Sequence, residues 1–274
     1  MRTTVYSHIA GFVTVGDLRD PLGSVVRENQ SVEEAWMVMT TADTDPMNSA
    51  SLVLRNQEVI GSVWLADLDS ETKLVGDCME VILPAAIISA NTPALYAVKL
   101  LAQGQRELYF VLHRDEFVGT LTFSCLSKPL FRICLLALTL ELEQAALDLL
   151  MLGANESWAA LGENRRTKAI EVYQLRFRRS PDSKRLPVVN LLECTCFADK
   201  GQLLRKRSLL SQEMAAIVKS HFAKAEKIRN MCAHPGSDDL GVADRVEFAE
   251  FVRITLTLIH DLEAATERAM SVGI

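Results

Sequence analysis

The 274-residue chain is poor in aromatic residues (6%), and its six cysteines form no CxxC pair. No His/Cys spacing matches a zinc site, which excludes a zinc-stapled module. There is no GxxxxGK[ST] phosphate cradle and no GxGxxG after a strand, so P-loop and dinucleotide-binding chemistry are excluded. No GxSxG nucleophile elbow occurs. A nucleotidyltransferase needs Gly-Ser followed by paired aspartates. Gly23-Ser24 leads to none, and Asp67-Leu68-Asp69 follows Gly61-Ser62 too closely. The most apolar run, Ile133–Leu140, is ended by Glu141 and Glu143, far short of the roughly 20 residues a membrane span needs. The N-terminus shows no basic segment followed by an apolar stretch and a cleavage site. The scattered Cys78, Cys125, Cys134, Cys194, Cys196 and Cys232 read as free thiols of a reducing compartment, so a cytoplasmic location is expected.

Charge is divided unevenly. Residues 1–127 carry 8 basic and 16 acidic side chains, whereas residues 128–274 carry 21 and 19. A polyanionic partner is therefore expected to meet the second part of the chain. The 49% hydrophobic content supplies ample material for packed cores, and the length fits two modest domains.

The first part repeats itself. Val15-Gly16-Asp17 recurs as Val75-Gly76-Asp77, and Ser31-Val32-Glu33-Glu34-Ala35 opens a helical pattern through Met39. Ser31 and Glu34 have capping-box spacing. The second copy opens its helix with Thr92 as N-cap and Pro93 at the first helical position, running on through Ala97, Val98, Leu100 and Leu101. Two strands follow in each copy. Leu52-Val53-Leu54 turns at Asn56-Gln57-Glu58 into Val59–Val63, and Leu108–Leu112 turns at Arg114-Asp115-Glu116 into Phe117–Leu121. Gly61 and Gly119 sit inside the last strands, where a glycine marks close approach of another backbone or a ligand. Each copy reads strand, helix, strand, strand, short helix, over about residues 12–70 and 72–128.

This pattern resembles a tandem CBS-domain pair. The resemblance implies two intertwined repeats about a pseudo-twofold axis, with clefts that take adenine nucleotides or S-adenosylmethionine as effectors. The family's ligand signature places a hydroxyl three residues after a glycine and an aspartate three further, to bind phosphate and ribose. The first copy has Gly61 and Asp67 but Trp64 in the hydroxyl position. The second has Gly119 and Thr122 but Cys125 in place of the acid. The implied ligand-binding residues are thus Gly61, Asp67, Gly119 and Thr122, each cleft half complete. A degenerate pair serving as a dimerisation platform remains the alternative, and Trp64 itself reads as core.

Beyond Ser127-Lys128-Pro129 the alternation of strands gives way to helical periodicity. Helices are expected over Leu130–Leu152, Glu156–Arg179, Pro187–Phe197, Ser211–Ala233 and Val242–Met270, with a turn at Asp199-Lys200-Gly201 and breaks at Ser180–Ser183 and Pro235–Asp239. On the last helix Phe248, Phe251, Ile254, Leu258 and Leu262 have core spacing. Short loops imply an antiparallel bundle. The fold expected is an α+β pair in residues 1–128 followed by an all-α antiparallel helical bundle in residues 129–274.

Two features of the bundle carry chemistry. Arg165, Arg166, Lys168, Arg176, Arg178, Arg179, Lys184 and Arg185 form a basic stretch, followed by Lys200, Arg205, Lys206 and Arg207. Such runs usually solvate a face, and guanidinium groups also fork onto phosphates, so the first six are candidate RNA contacts. The other feature is Arg229-Asn230 followed by His234. The stripe Met214, Val218, His221/Phe222, Ala225 lands one turn later on Arg229, a costly place for a charge without a partner such as Glu226 or Glu250. Pro235 disfavours helical geometry at His234, freeing its imidazole from the helix direction.

Arg229, Asn230 and His234 at the end of a penultimate helix resemble the HEPN motif. The resemblance implies a homodimer and a metal-independent endoribonuclease, with no cofactor required. His234 would be acid or base at the ribose 2′-hydroxyl, Arg229 would stabilise the transition state, and Asn230 would orient phosphate or imidazole. His234 as a helix cap and Arg229 as a paired structural charge is the other reading. His8, His113, His221 and His260 read as structural. The chain is therefore read as a CBS-regulated ribonuclease or as a non-catalytic nucleotide-sensing dimer whose bundle binds RNA or a partner protein.

Overall fold

The computed structural model describes residues 12–42, 50–68, 74–103, 106–177, 188–234 and 245–272. They form two units, residues 12–131 and residues 132–272. The first is α+β and the second helical, as the change of periodicity at Pro129 implies.

The α+β unit runs α1 (Val15–Leu18), β1 (Asp20–Pro21), β2 (Val25–Arg27), α2 (Val32–Ala42), β3 (Ala50–Arg55), β4 (Glu58–Trp64) and a 3-10 turn at Leu65–Asp67. The second copy then runs α3 (Val75–Cys78), β5 (Ile87–Ser89), α4 (Ala94–Ala102), β6 (Leu108–His113), β7 (Glu116–Thr122) and a 3-10 turn at Phe123–Ser127. The Val-Gly-Asp tripeptides thus form single helical turns, and the first strand of each copy comes after them. The hairpin β3–β4 closes through Asn56 and Gln57, both at positive φ (51° and 71°). That is the twist a two-residue hairpin requires. The Glu34 amide donates to Ser31 Oγ at 3.2 Å, half of the expected capping box. The second helix starts one residue later than expected. Pro93 is its N-cap (φ −57°, ψ 136°), because it is bridged to Thr14 and extended.

The copies are exchanged across a pseudo-twofold relation. Strand β1 belongs to the first copy but pairs with β7 of the second, Asp20 opposite Thr120. Glu80, 60 residues after Asp20, exchanges two 2.8 Å backbone bonds with Ser62 of β4. The α1 turn donates from Val15 and Gly16 to Thr92 and Ala90 carbonyls, both at 2.8 Å. The α3 turn does the same from Val75 and Gly76 to Gln30 and Glu28, at 3.0 and 2.9 Å. The two sheets run β2-β3-β4 and β1-β7-β6-β5. Buried Leu52, Leu108 and Phe110 join with Trp64 and Phe117 in one apolar cluster.

The helical unit contains most of α5 (Pro129–Met151), then α6 (Ala154–Ala160), α7 (Glu163–Phe177), α8 (Val188–Glu193), α9 (Phe197–Lys206), α10 (Gln212–Ala233) and α11 (Arg245–Val272). Helix α5 buries a continuous stripe of Phe131, Leu135, Leu138, Leu142, Ala146 and Leu150, while Ile133 and Asp148 on other faces are exposed. The helix expected over residues 156–179 is divided, among the described residues, between α6 and α7 at buried Leu161 and exposed Gly162. Asp199-Lys200-Gly201, expected as a turn, lies inside α9. There Gly201 replaces a side chain that would stand 2.7 Å from Phe222 Cβ, allowing α9 to press onto α10. Ser211 caps α10, accepting from the Met214 amide at 3.3 Å. On α11 the buried series runs Phe248, Phe251, Thr255, Leu258 and Leu262, with Ile254 only half-buried. The expected break at Pro235–Asp239 and residues 242–244 lie outside the described residues, as does the break at Ser180–Ser183. Among the described residues no helix is long and apolar enough to cross a membrane.

Candidate functional site

The glycines singled out in the repeats each stand against backbone of the other copy. A Cβ on Gly61 would stand 2.5 Å from the Glu80 carbonyl oxygen, and one on Gly119 would meet the Asp20 carbonyl oxygen at 2.2 Å. Each glycine admits the incoming segment of the other copy. Trp64 packs in the apolar cluster, so the position of the missing hydroxyl is core.

The two half-clefts differ in the 3-10 turns beyond their glycine strands. Asp67 closes the first 3-10 turn and is exposed, engaged by no hydrogen bond or ion pair among the described residues. Thr122 is half-buried at the N-cap of the second turn, with Oγ1 2.7 Å from Ser124 Oγ. Cys125, where the acid is missing, is fully buried and donates Sγ–H to Asp20 Oδ2 at 3.2 Å. Burial pushes its thiol pKa up, and the neighbouring Asp20 carboxylate adds to that. Lys128 Nζ sits 2.6 Å from Asp20 Oδ1 and donates to the carbonyls of Leu18 and Arg19 at 2.6 and 2.8 Å. The second half-cleft is thus filled by its own chain, while the first presents an open carboxylate.

In the bundle, α10 buries Val218, His221, Phe222, Ala225 and Ile228. The stripe therefore ends on Ile228, and Arg229 lies at its border with 26% of its side chain exposed. Its partner is neither Glu226 nor Glu250. Arg229 Nη1 donates to Glu143 Oε2 of α5 at 3.1 Å, and the guanidinium lies 5.6 Å from the Phe197 ring centroid. Glu226 instead accepts from the Ala198 amide at 3.3 Å, and Glu250 binds Arg253 of its own helix. Asn230 is exposed and its Oδ1 accepts from Arg229 Nη2 at 3.2 Å, which brings these two motif residues together. His234 is exposed at the end of α10 with extended backbone (φ −109°, ψ 111°), as Pro235 requires.

Glu143 also accepts from Lys200 Nζ at 2.9 Å. Lys200 is 1% exposed and donates to the Thr195 carbonyl at 2.8 Å, so this ammonium is interior and paired. Neither Glu143 nor Lys200 is picked out by the motif. The signal available was an acid placed directly after an apolar run, where burial obliges it to find a cation.

The basic stretch is likewise partly structural. Arg165 Nε is 3.5 Å from Asp199, and half-buried Arg166 has an enclosed Nε without a partner. Lys168 and Arg176 are exposed along α7. Arg178, Arg179, Lys184 and Arg185 lie outside the described residues. Of the second cluster, Lys206 donates to the Ala160 carbonyl at 2.9 Å and Arg207 to Ser157 Oγ at 2.8 Å. Arg205 is exposed, whereas Lys200 is not a surface charge at all.

No protein-family model matches the chain, and no curated protein matches it. Solved structures similar to it cover its N-terminal portion. The CBS domains of a transcriptional regulator from Streptococcus pneumoniae align with 18% identity over 43% of this chain and 99% of that one, at a TM-score of 0.36. The CBS-pair protein CBSX2 from Arabidopsis thaliana aligns with 22% identity over 41% and 89%, at 0.34. The CBS domain of a bacterial CNNM/CorC family Mg2+ transporter, solved with ATP, aligns with 14% identity over 44% and 88%, at 0.36. In this chain the α+β unit is N-terminal and the helical unit follows it.

Proposed function

We propose that the protein is a ligand-sensing regulator whose repeat pair takes an adenine nucleoside or nucleotide at the first half-cleft. The helical unit is then the responding part. The observation that carries this reading is the contrast between Asp67 and Cys125. One is an exposed carboxylate without a partner among the described residues, and the other is a buried thiol bonded to Asp20. A free carboxylate accepts well from the two hydroxyls of a ribose. The excess of acid in residues 1–127 disfavours polyphosphates, so S-adenosylmethionine, with its sulfonium charge, and AMP are favoured over ATP. The test is a thermal-shift and calorimetric titration of the full chain with S-adenosylmethionine, AMP and ATP, repeated on Asp67→Asn. A saturable shift lost in the variant supports the reading. No shift, or one indifferent to Asp67, overturns it.

A second reading has its own support. Asn230 and His234 are both exposed towards one end of α10, and Asn230 Oδ1 accepts from the Arg229 guanidinium. As an endoribonuclease, the protein would act as a homodimer with His234 as acid or base and Arg229 stabilising the phosphorane. Asn230 would position the guanidinium, and Arg165, Arg166, Lys168, Arg176, Arg178 and Arg179 would lie along the RNA. The pairing of Arg229 with Glu143 weighs against it, since a guanidinium already engaged by a carboxylate stabilises less developing charge. RNA incubated with the protein in EDTA decides. Products ending in 2′,3′-cyclic phosphate that vanish with His234→Ala support cleavage, and intact RNA or unchanged cleavage by the variant excludes it.

A further inference from the structure

The two half-clefts correspond position by position, but not in charge. In the second, the chain places its own cation on Asp20. Lys128 Nζ lies 2.6 Å from Asp20 Oδ1 and donates to the Leu18 and Arg19 carbonyls, while Cys125 reaches the other carboxylate oxygen. In the corresponding sequence positions the first half-cleft has Glu80 for Asp20, Met79 for Arg19, Asp67 for Cys125 and Ser70 for Lys128. The acid is kept, and both basic residues are gone.

The backbone around that acid is the same in both copies. Arg19 and Met79 are the C-caps of α1 and α3, at φ −51°, ψ 151° and φ −73°, ψ 151°. Their amides donate to the Val15 and Val75 carbonyls at 2.9 and 3.0 Å. Their side chains pass the two glycines alike, Arg19 Cγ and Cδ by Gly119 and Met79 Sδ by Gly61. Asp20 then pairs with Thr120 of β7, and Glu80 with Ser62 of β4, the strand that leads into the turn bearing Asp67. Met79 and Glu80 thus hold the frame in which Arg19 and Asp20 receive an ammonium group. Among the described residues no cation pairs with exposed Glu80. A carboxylate beside the carbonyl end of a helical turn favours positive charge. The second half-cleft therefore shows, with Lys128, the kind of group that the first lacks. We infer that Glu80 selects an adenosine whose 5′ substituent is cationic, as in S-adenosylmethionine, over one bearing phosphate there. The inference rests on the reading of Asp67 as the ribose acceptor. The ribose hydroxyls go to Asp67 and the positive charge to Glu80, where a phosphate would meet a like charge.

The test is a calorimetric titration of the full chain with adenosine, AMP and S-adenosylmethionine, repeated on Glu80→Gln, Asp67→Asn and Lys73→Met. The Glu80 side chain is exposed and makes no hydrogen bond among the described residues, so its variant is expected to fold, which a melting curve verifies. S-adenosylmethionine is expected to bind more tightly than AMP. Glu80→Gln should weaken it about tenfold, the loss of one charge-assisted bond, and leave adenosine unchanged. Lys73 is the nearest basic residue in sequence, and Lys73→Met should bind as the unaltered chain does. AMP binding as tightly as S-adenosylmethionine, or a Glu80→Gln variant that binds S-adenosylmethionine unchanged or loses adenosine equally, overturns the role of Glu80 and leaves that of Asp67 standing. Tighter S-adenosylmethionine binding in Lys73→Met does the same, since the chain would then supply its own cation. Binding of none of the three, or binding indifferent to Asp67→Asn, overturns both.

Discussion

The guanidinium of Arg229 donates to Glu143 at 3.1 Å, on the same carboxylate that receives Lys200 at 2.9 Å. One acid on α5 therefore pairs with two cations, from α9 and α10, and one of those cations is almost wholly buried. Removing the shared partner of an enclosed ion pair strands a charge in low dielectric, which costs several kcal/mol. Glu143→Gln is accordingly expected to destabilise the helical unit by about 3 kcal/mol in denaturant unfolding. Glu250→Gln, which breaks the exposed Glu250–Arg253 pair on one helix, is expected to change little. Equal effects of the two substitutions would mean that the Glu143 pairs are no tighter than surface pairs.

How much of this was legible depended on whether the information was local. The copies at Val15 and Val75, the hairpins at Asn56 and Arg114, and the cap at Ser211 are each written within a few residues, and each is found. What was illegible is which distant segments meet. Nothing near Asp20 states that it lies opposite Thr120, and nothing near Arg229 states that its partner stands 86 residues earlier. Gly201 misleads for the same reason. Locally it reads as a turn, but its role is set by Phe222 on the neighbouring helix. The site residues share this fate: Gly61 and Gly119 stand out by their spacing, yet their purpose lies in the strand from the other copy.

His221 should make the protein acid-sensitive. It is buried on α10, with Nε2 2.8 Å from Thr255 Oγ1, while Thr255 itself donates to the Phe251 carbonyl. The imidazole therefore donates to Thr255 and stays neutral. Burial, helped by nearby Lys224 and opposed by Glu250, pulls its pKa from 6.5 down to about 4. The unfolded chain then takes up the proton first. The contribution is complete above pH 6.5 and is lost as pH falls from there towards 4, at up to about 1.4 kcal/mol per pH unit. Chemical denaturation between pH 7 and 4.5 should show this slope, and His221→Gln should flatten it. An unchanged slope in that variant would assign the acid sensitivity to other groups.

Gly119 and Gly61 should be intolerant of even one methyl group. The added carbon meets a backbone oxygen at 2.2 or 2.5 Å, and backbone oxygens in a paired strand have little room to retreat. Gly119→Ala and Gly61→Ala are each expected to cost about 2 kcal/mol or more, as overpacked sites do. Gly162→Ala meets nothing within 4 Å and serves as the matched control. Melting temperatures of the three variants rank the sites, and equal values would show that the exchanged segments yield easily.

The exchanged segments are not equally secured, which the pseudo-symmetry alone would not suggest. Asp20 is held by Lys128, whose ammonium also binds the carbonyls of Leu18 and Arg19, while Arg19 Nε donates to Val118 at 2.9 Å. The corresponding residues of the second copy are Met79 and Glu80, and a methionine donates nothing. Glu80 is exposed and keeps only its backbone exchange with Ser62 among the described residues. Opening free energies follow local bonding, so peptides over residues 18–21 should exchange amide hydrogens more slowly than peptides over residues 78–81. Lys128→Met should erase most of that difference by leaving two carbonyls and a carboxylate without their charged donor, a loss of about 2 kcal/mol. Were the two segments to exchange alike in the unaltered protein, Lys128 would be an ornament of the second copy rather than the clasp that makes its cleft the closed one.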